Sequence, residues 1–197
     1  ALARALAPEP ALLLLDEPFS NLDGDLRRRL SAEVRDILKA RGISALLVTH
    51  DQNEAFAVCD QVGVLRDGRL QQWDTPFNLY HEPATPFVAS FIGQGYFIRG
   101  QLLTPDTVQT ELGVLRGDRA YQLPPGSAVD VLLRPDDIVG QASSPLTATI
   151  TGKVFLGATT LYRLQLPTGS TVETLFPSHD DHPSARCWGL VWPPTTW

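Results

Sequence analysis

Two short stretches decide the fold: Ala11-Leu-Leu-Leu-Leu-Asp-Glu17 and Ala45-Leu-Leu-Val-Thr-His50. Each is an apolar run that ends abruptly in polar residues, which is typical of a parallel strand buried on both faces of its sheet. Between them, apolar residues recur at three- and four-residue steps, which predicts an amphipathic helix that begins near Asp23 and stops at Gly42. Strand, helix and strand therefore predict one βαβ unit with a right-handed crossover.

The rest of the chain is predicted to complete two domains. A second helix is expected over residues 52–58, followed by a hairpin that turns at Asp67-Gly68 and by short helices. Beyond residue 93, runs of β-forming residues alternate with turns that contain proline and glycine, which favours a small all-β barrel. The expected fold is a partial α/β parallel-sheet domain over residues 1–93, followed by a β-barrel domain over residues 94–197.

Composition limits the classes of function. With 43% hydrophobic and 19% charged residues in 197, the chain has the makeup of a folded protein. A net charge of −6 and a pI near 5.1 argue against binding to nucleic acid, which calls for a surplus of positive charge. Cys59 and Cys187 lie far apart in the sequence, so neither a disulfide framework nor a zinc site is indicated, and a reducing compartment is expected.

Polar residues follow both apolar strands, where ligands of open parallel sheets bind. Asp16 and Glu17 end the first strand and His50 ends the second, so the three side chains are expected to converge. A carboxylate at this place can hold Mg²⁺, its neighbour can polarise an attacking water, and a histidine can stabilise the charge that develops on a phosphate. The three residues predict phosphoryl transfer to water, with Asp16 at the metal, Glu17 as base and His50 beside the phosphate.

A structural interpretation stays open for each residue taken alone. An apolar strand followed by Asp-Glu also occurs in unrelated nucleotide hydrolases, and a single histidine after a strand is more often structural than catalytic. The combination of the two motifs at this spacing favours catalysis.

The strings Asp16-Glu-Pro-Phe-Ser-Asn-Leu-Asp23 and Val48-Thr-His-Asp-Gln-Asn-Glu-Ala55 closely resemble the ATPase subunits of ABC (ATP-binding cassette) transporters. The resemblance implies a P-loop NTPase fold, with Asp16 as the Walker B carboxylate of the magnesium site, Glu17 as catalytic base and His50 as switch histidine. The D-loop, which in the family meets a second copy of the subunit near ATP, would comprise Ser20, Asn21, Leu22 and Asp23.

The phosphate-binding half of such a site is not in this sequence. The pattern GxxxxGK followed by Ser or Thr does not occur, and the only lysines are Lys39 and Lys153. The signature motif of the family is also missing, there is no methionine, and residues 1–7 look like the inside of a helix. We therefore expect a C-terminal fragment of the subunit that by itself binds ATP weakly, if at all, and does not hydrolyse it.

The segment from Arg66 to Gly93 resembles bacterial import ATPases that carry a C-terminal regulatory domain of the TOBE type. Importers of this kind take up sugars, polyamines, anions or ferric iron. The stretch Phe91-Ile-Gly-Gln-Gly95 and the later Leu132-Leu-Arg-Pro-Asp-Asp-Ile138 look most like the ferric-iron branch, with polyamine importers next. The resemblance implies ATP and Mg²⁺ as cofactors and a homodimer at the cytoplasmic face of the inner membrane. The implied partners are transmembrane permease subunits and, indirectly, a periplasmic solute-binding protein.

Two other functions remain in view. The chain could act, in isolation, as a non-enzymatic module that dimerises or senses a regulator through its β domain. A chromosome-maintenance or translation ATPase would share the active-site motifs, but the acidic charge and the segment between Gly68 and Gly93 disfavour it.

The C-terminal end offers weaker signals. His179-Asp-Asp-His182 is interpreted as a solvated loop, since four adjacent residues on a turn rarely converge on one metal ion. Trp188, Trp192 and Trp197 are expected to complete a core or a subunit contact and not to stack on a ligand. The tail from about Cys187 matches the importer family poorly.

Overall fold

A computed structural model of the chain divides into two compact units, residues 1–88 and 89–197. The structure describes residues 2–117, 120–140, 144, 146–182 and 187–191. None of the helices within these ranges is both long and apolar enough to cross a membrane.

The first unit contains helices and two small sheets in the order that the sequence predicts. Its elements are α1 (Leu2–Leu6), β1 (Leu12–Asp16), α2 (Gly24–Arg41), β2 (Ser44–Val48), α3 (Gln52–Val58), β3 (Val62–Arg66), β4 (Arg69–Asp74) and α4 (Pro76–His81). Helix α5 (Pro86–Ile92) crosses the boundary between the units. The βαβ unit, the second helix and the hairpin are thus confirmed.

Helix α2 has the start and stop signals that were expected of it. The Asp23 side chain caps it by accepting a hydrogen bond from the backbone N–H of Leu26, and Gly42 ends it with a φ of 62°. Capping satisfies a backbone donor that the helix itself leaves unpaired, and glycine adopts the left-handed conformation without strain. Val34 and Leu38 face inward and pack in one apolar cluster with residues of β1.

Strands β1 and β2 pair in parallel, with Leu12 opposite Ser44 and Asp16 opposite Val48. The prediction that both are buried on two faces is wrong for this chain. One face packs against the helices, whereas the other leaves four side chains more than half exposed: Leu12 at 56%, Leu14 at 67%, Leu46 at 51% and Val48 at 56%. Within the described part of the chain, helices cover one face of this sheet, and no element packs against the other.

The hairpin of β3 and β4 turns where the sequence predicts. Asp67 and Gly68 both have positive φ, 51° and 73°. Two successive left-handed residues match the twist of the flanking strands, which is why Asp-Gly is favoured in tight hairpins.

The second unit is all-β after α5, as predicted. Its strands are β5 (Tyr96–Thr104), β6 (Thr107–Thr110), β7 (Gly113–Arg116), β8 (Ala128–Leu133), β9 (Val139–Gly140), β10 (Thr147–Phe155), β11 (Thr159–Gln165), β12 (Thr171–Pro177) and β13 (Cys187–Val191). Hydrogen bonds between described residues join them into two antiparallel sheets, in the orders β7-β6-β5-β8 and β12-β11-β10-β13-β9. Side chains from both sheets meet in one core, among them Leu133 and Leu164, each 1% exposed.

A buried arginine fastens this unit to the end of α5. Arg134 is 2% exposed, and its Nη1 donates to the backbone carbonyls of Ala89, Gly93 and Gln94 at 2.9, 2.9 and 3.1 Å. Carbonyls at the end of a helix lack partners within the helix, and a positive charge there is favourable. The backbone N–H of Arg134 donates in turn to Oδ2 of Asp137 at 2.7 Å.

Asp137 should make the stability of the second unit depend on pH. Burial raises the pKa of its carboxyl to about 6. The folded protein therefore holds a proton that the unfolded chain releases, so stability falls as pH rises from about 4 to about 6 and then levels off. Asp137→Asn should remove this slope and raise the free energy of unfolding at pH 7 by about 1–2 kcal/mol, because asparagine stays neutral and still accepts from Arg134. Urea unfolding at pH 4.5 and pH 7 measures both effects.

The exposed Asp130, paired with Arg99 on the same unit, provides the matched control. Asp130→Asn should leave the slope between pH 4 and 6 in place. If Asp137→Asn keeps the slope as well, the titration belongs to another group.

Candidate functional site

The candidate site lies at the carboxyl ends of β1 and β2. Because the strands are parallel, both end at the same edge of the sheet, and the backbone N–H of Glu17 extends the pairing by donating to the Val48 carbonyl at 2.9 Å. This bond aligns Glu17 with the residues that follow β2. Register alone thus brings the two polar stretches of the sequence together.

Glu17 and His50 are in direct contact. Nδ1 of His50 lies 2.9 Å from Oε1 of Glu17, with the glutamate side chain 47% and the histidine side chain 76% exposed. The hydrogen bond to Glu17 and its negative charge raise the pKa of His50 above its usual value, more than partial desolvation lowers it. Both side chains stay accessible to a ligand and to water.

Asp16 lies one residue earlier, at the end of β1, with its side chain exposed at the same edge. A carboxylate is the ligand that Mg²⁺ prefers, and this ion commonly binds one or two protein carboxylates while water and phosphate oxygens complete its shell. Asp16 fits that arrangement. Among the described residues no group of three or more His, Cys, Asp or Glu could hold a metal ion. The roles of Asp16, Glu17 and His50 stay predictions.

Glu17 has a strained backbone. Its φ is 42°, in the left-handed region that side chains with a Cβ rarely occupy. The conformation is held from both sides, because its N–H donates to Val48 and its carbonyl accepts from Oγ of Ser20 at 3.0 Å. Such strain costs on the order of 1–3 kcal/mol and is concentrated at functional sites.

The predicted D-loop forms the turn between Glu17 and α2. Ser20 binds the Glu17 carbonyl, the N–H of Leu22 donates to Phe19, and Asp23 caps α2. Asn21 is exposed, whereas Leu22 is half-buried against the apolar cluster of the first unit. The turn therefore has a fixed inner side and an open outer side.

Next to the site lies a network of charged side chains that the sequence did not predict. Arg27 on α2 contacts Asp51 and the buried Glu54 of α3, and Glu54 accepts a hydrogen bond from Thr49. Asp51 also caps α3 through the N–H groups of Asn53 and Glu54. Burial alone would raise the pKa of Asp51, but these N–H groups and Arg27 outweigh it and lower the pKa. An N-cap aspartate with a glutamate three residues later signals the start of α3 in the sequence, but it does not indicate the contacts with Arg27.

The stretch between His179 and His182 folds back on the β unit. Tyr162 donates from its hydroxyl to the Asp180 carbonyl at 3.1 Å and accepts from the N–H of His182 at 3.0 Å. Lys153 pairs with Asp181 at 2.7 Å. The predictions for the C-terminal aromatics fall outside what is described, which excludes the side chain of Trp188 and the whole of Trp192 and Trp197.

Comparison with known proteins supports the importer resemblance. Residues 105–192 match the family model of the TOBE domain. The spermidine/putrescine import ATP-binding protein PotA 1 of Pseudomonas aeruginosa is 38% identical over 189 residues, covering 90% of this chain and 50% of the relative. The PotA proteins of Rubrobacter xylanophilus and Lawsonia intracellularis are 39% and 43% identical, covering 86% and 70% of this chain.

The chain spans about half or less of these relatives, 47% for the Rubrobacter protein and 39% for the Lawsonia protein. All three are import ATP-binding proteins for spermidine and putrescine by name, so they give no support to the ferric-iron branch. Among solved structures, the molybdate-bound cytoplasmic protein ModG aligns with a TM-score of 0.43 and 13% identity, over 51% of this chain and 91% of that one. That likeness is too low to decide the fold.

Proposed function

We propose that this chain is the C-terminal part of the ATP-hydrolysing subunit of a bacterial ABC importer, and that the importer takes up a polyamine. The contact between Glu17 and His50 at the shared edge of β1 and β2 carries the ATPase proposal. The similarity to PotA proteins carries the choice of polyamine, the alternative that the sequence placed after ferric iron.

In this proposal the Glu17 carboxylate accepts a hydrogen bond from the water that attacks the γ-phosphate of ATP. His50 holds the Glu17 carboxylate in place through Nδ1, and its raised pKa favours the form that carries positive charge. Positive charge here stabilises the negative charge that builds up on the phosphate oxygens during transfer. The backbone hydrogen bond from Glu17 to Val48 holds the two stretches of backbone that carry these residues side by side.

Asp16 would hold Mg²⁺, directly or through water. Bound there together with ATP, Mg²⁺ would neutralise part of the negative charge of the phosphates. ATP would be held mainly by a phosphate-binding loop that this sequence does not contain, so the 197 residues alone are expected to be inactive. In this proposal, the phosphate-binding part of the active site lies outside these 197 residues.

The open outer side of the D-loop supports the first proposed partner, a second copy of the subunit. Ser20 and Asn21 expose their side chains beside Glu17, where a second copy of the subunit would approach. Permease subunits in the inner membrane and, indirectly, a periplasmic binding protein complete the importer, with this subunit at the cytoplasmic face. The β unit, proposed to begin near residue 94, would serve regulation. No nucleic-acid partner is proposed, given the net charge of −6.

Uptake by cells tests the proposal. The gene that encodes this chain, expressed with its neighbouring permease genes in a strain that lacks polyamine importers, should restore uptake of radiolabelled putrescine or spermidine. Uptake of ferric iron without polyamine uptake would support the iron branch instead. ATP-independent accumulation, or no uptake of any solute, would count against the importer ATPase.

A further inference from the structure

One side chain connects the two loops that flank the candidate site. Arg27 lies on the first turn of α2, directly after the loop Ser20–Asp23, and is half-buried where α2 meets α3. Helix α3 begins directly after His50, with Asp51 as its N-cap. Arg27 is therefore placed between the D-loop and the histidine.

The guanidinium of Arg27 uses three nitrogens for three different groups. Nη2 donates to the backbone carbonyl of Leu22 at 2.9 Å, and Nη1 donates to Oδ2 of Asp51 at 2.8 Å. Nε lies 3.4 Å from Oε1 of Glu54, an ion-pair distance without a hydrogen bond. Glu54 is 3% exposed, so the positive charge of Arg27 offsets the cost of burying a carboxylate.

The same network fixes both neighbours of His50. The other oxygen of Glu54 accepts from Oγ1 of Thr49 at 2.6 Å, and that hydroxyl accepts from the N–H of Asp51 at 3.0 Å. Thr49 and Asp51 are thus held through Glu54 and Arg27. His50, between them, is left with an exposed ring whose orientation depends on backbone that Arg27 anchors.

We infer that Arg27 is a positioning residue that couples the D-loop to His50. A displacement of the D-loop would withdraw the Leu22 carbonyl from Nη2, change the hold of Arg27 on Asp51 and Glu54, and so change how His50 meets Glu17. The inference rests on the proposed function for its meaning in catalysis, because a partner subunit that contacts the D-loop would then be sensed at the histidine. The coupling itself is a property of the 197 residues and needs no ATP.

The geometry predicts that lysine cannot replace this arginine. A guanidinium is a planar fork that reaches a backbone carbonyl, a carboxylate and a second carboxylate in fixed directions. Lysine keeps the positive charge on a single ammonium and cannot span all three. Arg27→Lys therefore separates the geometric role from the electrostatic one.

The tautomer of His50 provides a readout. In neutral histidine, the hydrogen bond made by one ring nitrogen decides which of the two nitrogens carries the proton. Because the carboxylate of Glu17 accepts from Nδ1, we expect the proton of His50 to be on Nδ1. Long-range ¹H–¹⁵N spectra at pH 9 distinguish the Nδ1–H from the Nε2–H form. The His50 signal is assigned by its loss in His50→Gln. Besides Glu17, the charges of Glu54 and Asp51 also raise the pKa of this ring, whereas among the described residues the hydrogen bond at Nδ1 is made with Glu17.

Wild type should show mainly the Nδ1–H form and Glu17→Ala mainly the Nε2–H form. In Arg27→Lys, the ring ¹⁵N signals of His50 should shift by more than half of the difference between the wild-type and Glu17→Ala spectra. This substitution should also speed amide hydrogen exchange of Leu22, whose N–H donates to the Phe19 carbonyl, by about 3- to 10-fold, since a lost hydrogen bond loosens the loop. Arg28→Lys is the matched control, because Arg28 is 77% exposed and pairs with Asp25 alone in the ion pairs of the described residues. Arg28→Lys should change neither the tautomer of His50 nor the amide exchange of the D-loop.

Equal His50 spectra in Arg27→Lys and Arg28→Lys would overturn the inference, and so would a changed tautomer without a change in loop exchange. If Arg27→Lys does not fold, Glu54→Gln removes the partner charge while retaining the size of the side chain and should give the same two changes. A role in stability alone would lower the unfolding midpoint but leave the tautomer of the folded chain unaltered. Since none of these measurements uses ATP, failure of the coupling and failure of the ATPase proposal are distinguishable.

Discussion

Replacing Glu17 with glutamine is expected to lower ATP turnover by the longer subunit proposed for this chain by about 10²- to 10⁴-fold, the usual contribution of a general base. Glutamine has almost the same shape and can still accept a hydrogen bond from His50. It is a much weaker acceptor for the proton of the attacking water. The measurement is phosphate release at saturating ATP and Mg²⁺, together with ATP affinity, which should change by less than about threefold because only the step after binding is affected.

Glu33→Gln is the matched control for this experiment. Glu33 is an exposed residue of α2 outside the candidate site, and its replacement makes the same change of charge. It should leave turnover within about twofold of the wild type, as expected for a surface substitution. Turnover that survives in Glu17→Gln would assign the base to another residue. Hydrolysis by the 197 residues alone would contradict the expectation that they lack the phosphate-binding half.

The second large effect is expected at the centre of the β unit. Tyr162 is fully buried, with 0% exposure, and its ring packs 5.7 Å from that of Phe176 across the pair β11 and β12. Tyr162→Ala removes the ring together with the hydrogen bonds of its hydroxyl to the Asp180 carbonyl and from the His182 N–H. We expect a loss of about 3–5 kcal/mol in the free energy of unfolding, the range for a large aromatic replaced by alanine in a core. Urea unfolding followed by circular dichroism measures it.

Tyr162→Phe isolates the contribution of the hydroxyl group to the free energy of unfolding. The ring stays in the core, and the two backbone groups that the hydroxyl binds lie partly exposed, where water can replace it. The loss should be about 1 kcal/mol. If Tyr162→Ala costs no more than Tyr162→Phe, the ring is not a central part of the core.

Elements that depend on local signals could be predicted from the sequence. Asp23 and Gly42 delimit α2 because capping and left-handed backbone are decided within a few residues, and Asp67-Gly68 determines its own turn. The meeting of Glu17 and His50 was also predictable, since polar residues that follow paired parallel strands must share an edge. Predicting these features does not require knowing which distant residues a side chain contacts.

Features that depend on distant packing could not be predicted. The exposure of Leu12 and Leu14 depends on what covers the sheet, which the apolar run itself does not reveal. The contacts of Arg27 and of Arg134 join positions 24 and 45 residues apart, and a single arginine in a sequence does not indicate its partners. The choice between iron and polyamine is carried by overall similarity to relatives and not by a residue of the candidate site.

The left-handed backbone of Glu17 also bears on how such sequences evolve. Glycine at this position would relieve strain and is expected to make the fold more stable by about 1 kcal/mol. Under the proposed role of Glu17 as catalytic base, retaining glutamate there sacrifices stability for turnover, and selection on turnover would be needed to keep it. In a lineage that no longer needed hydrolysis, Glu17 should be among the first residues of the site to drift toward glycine or asparagine.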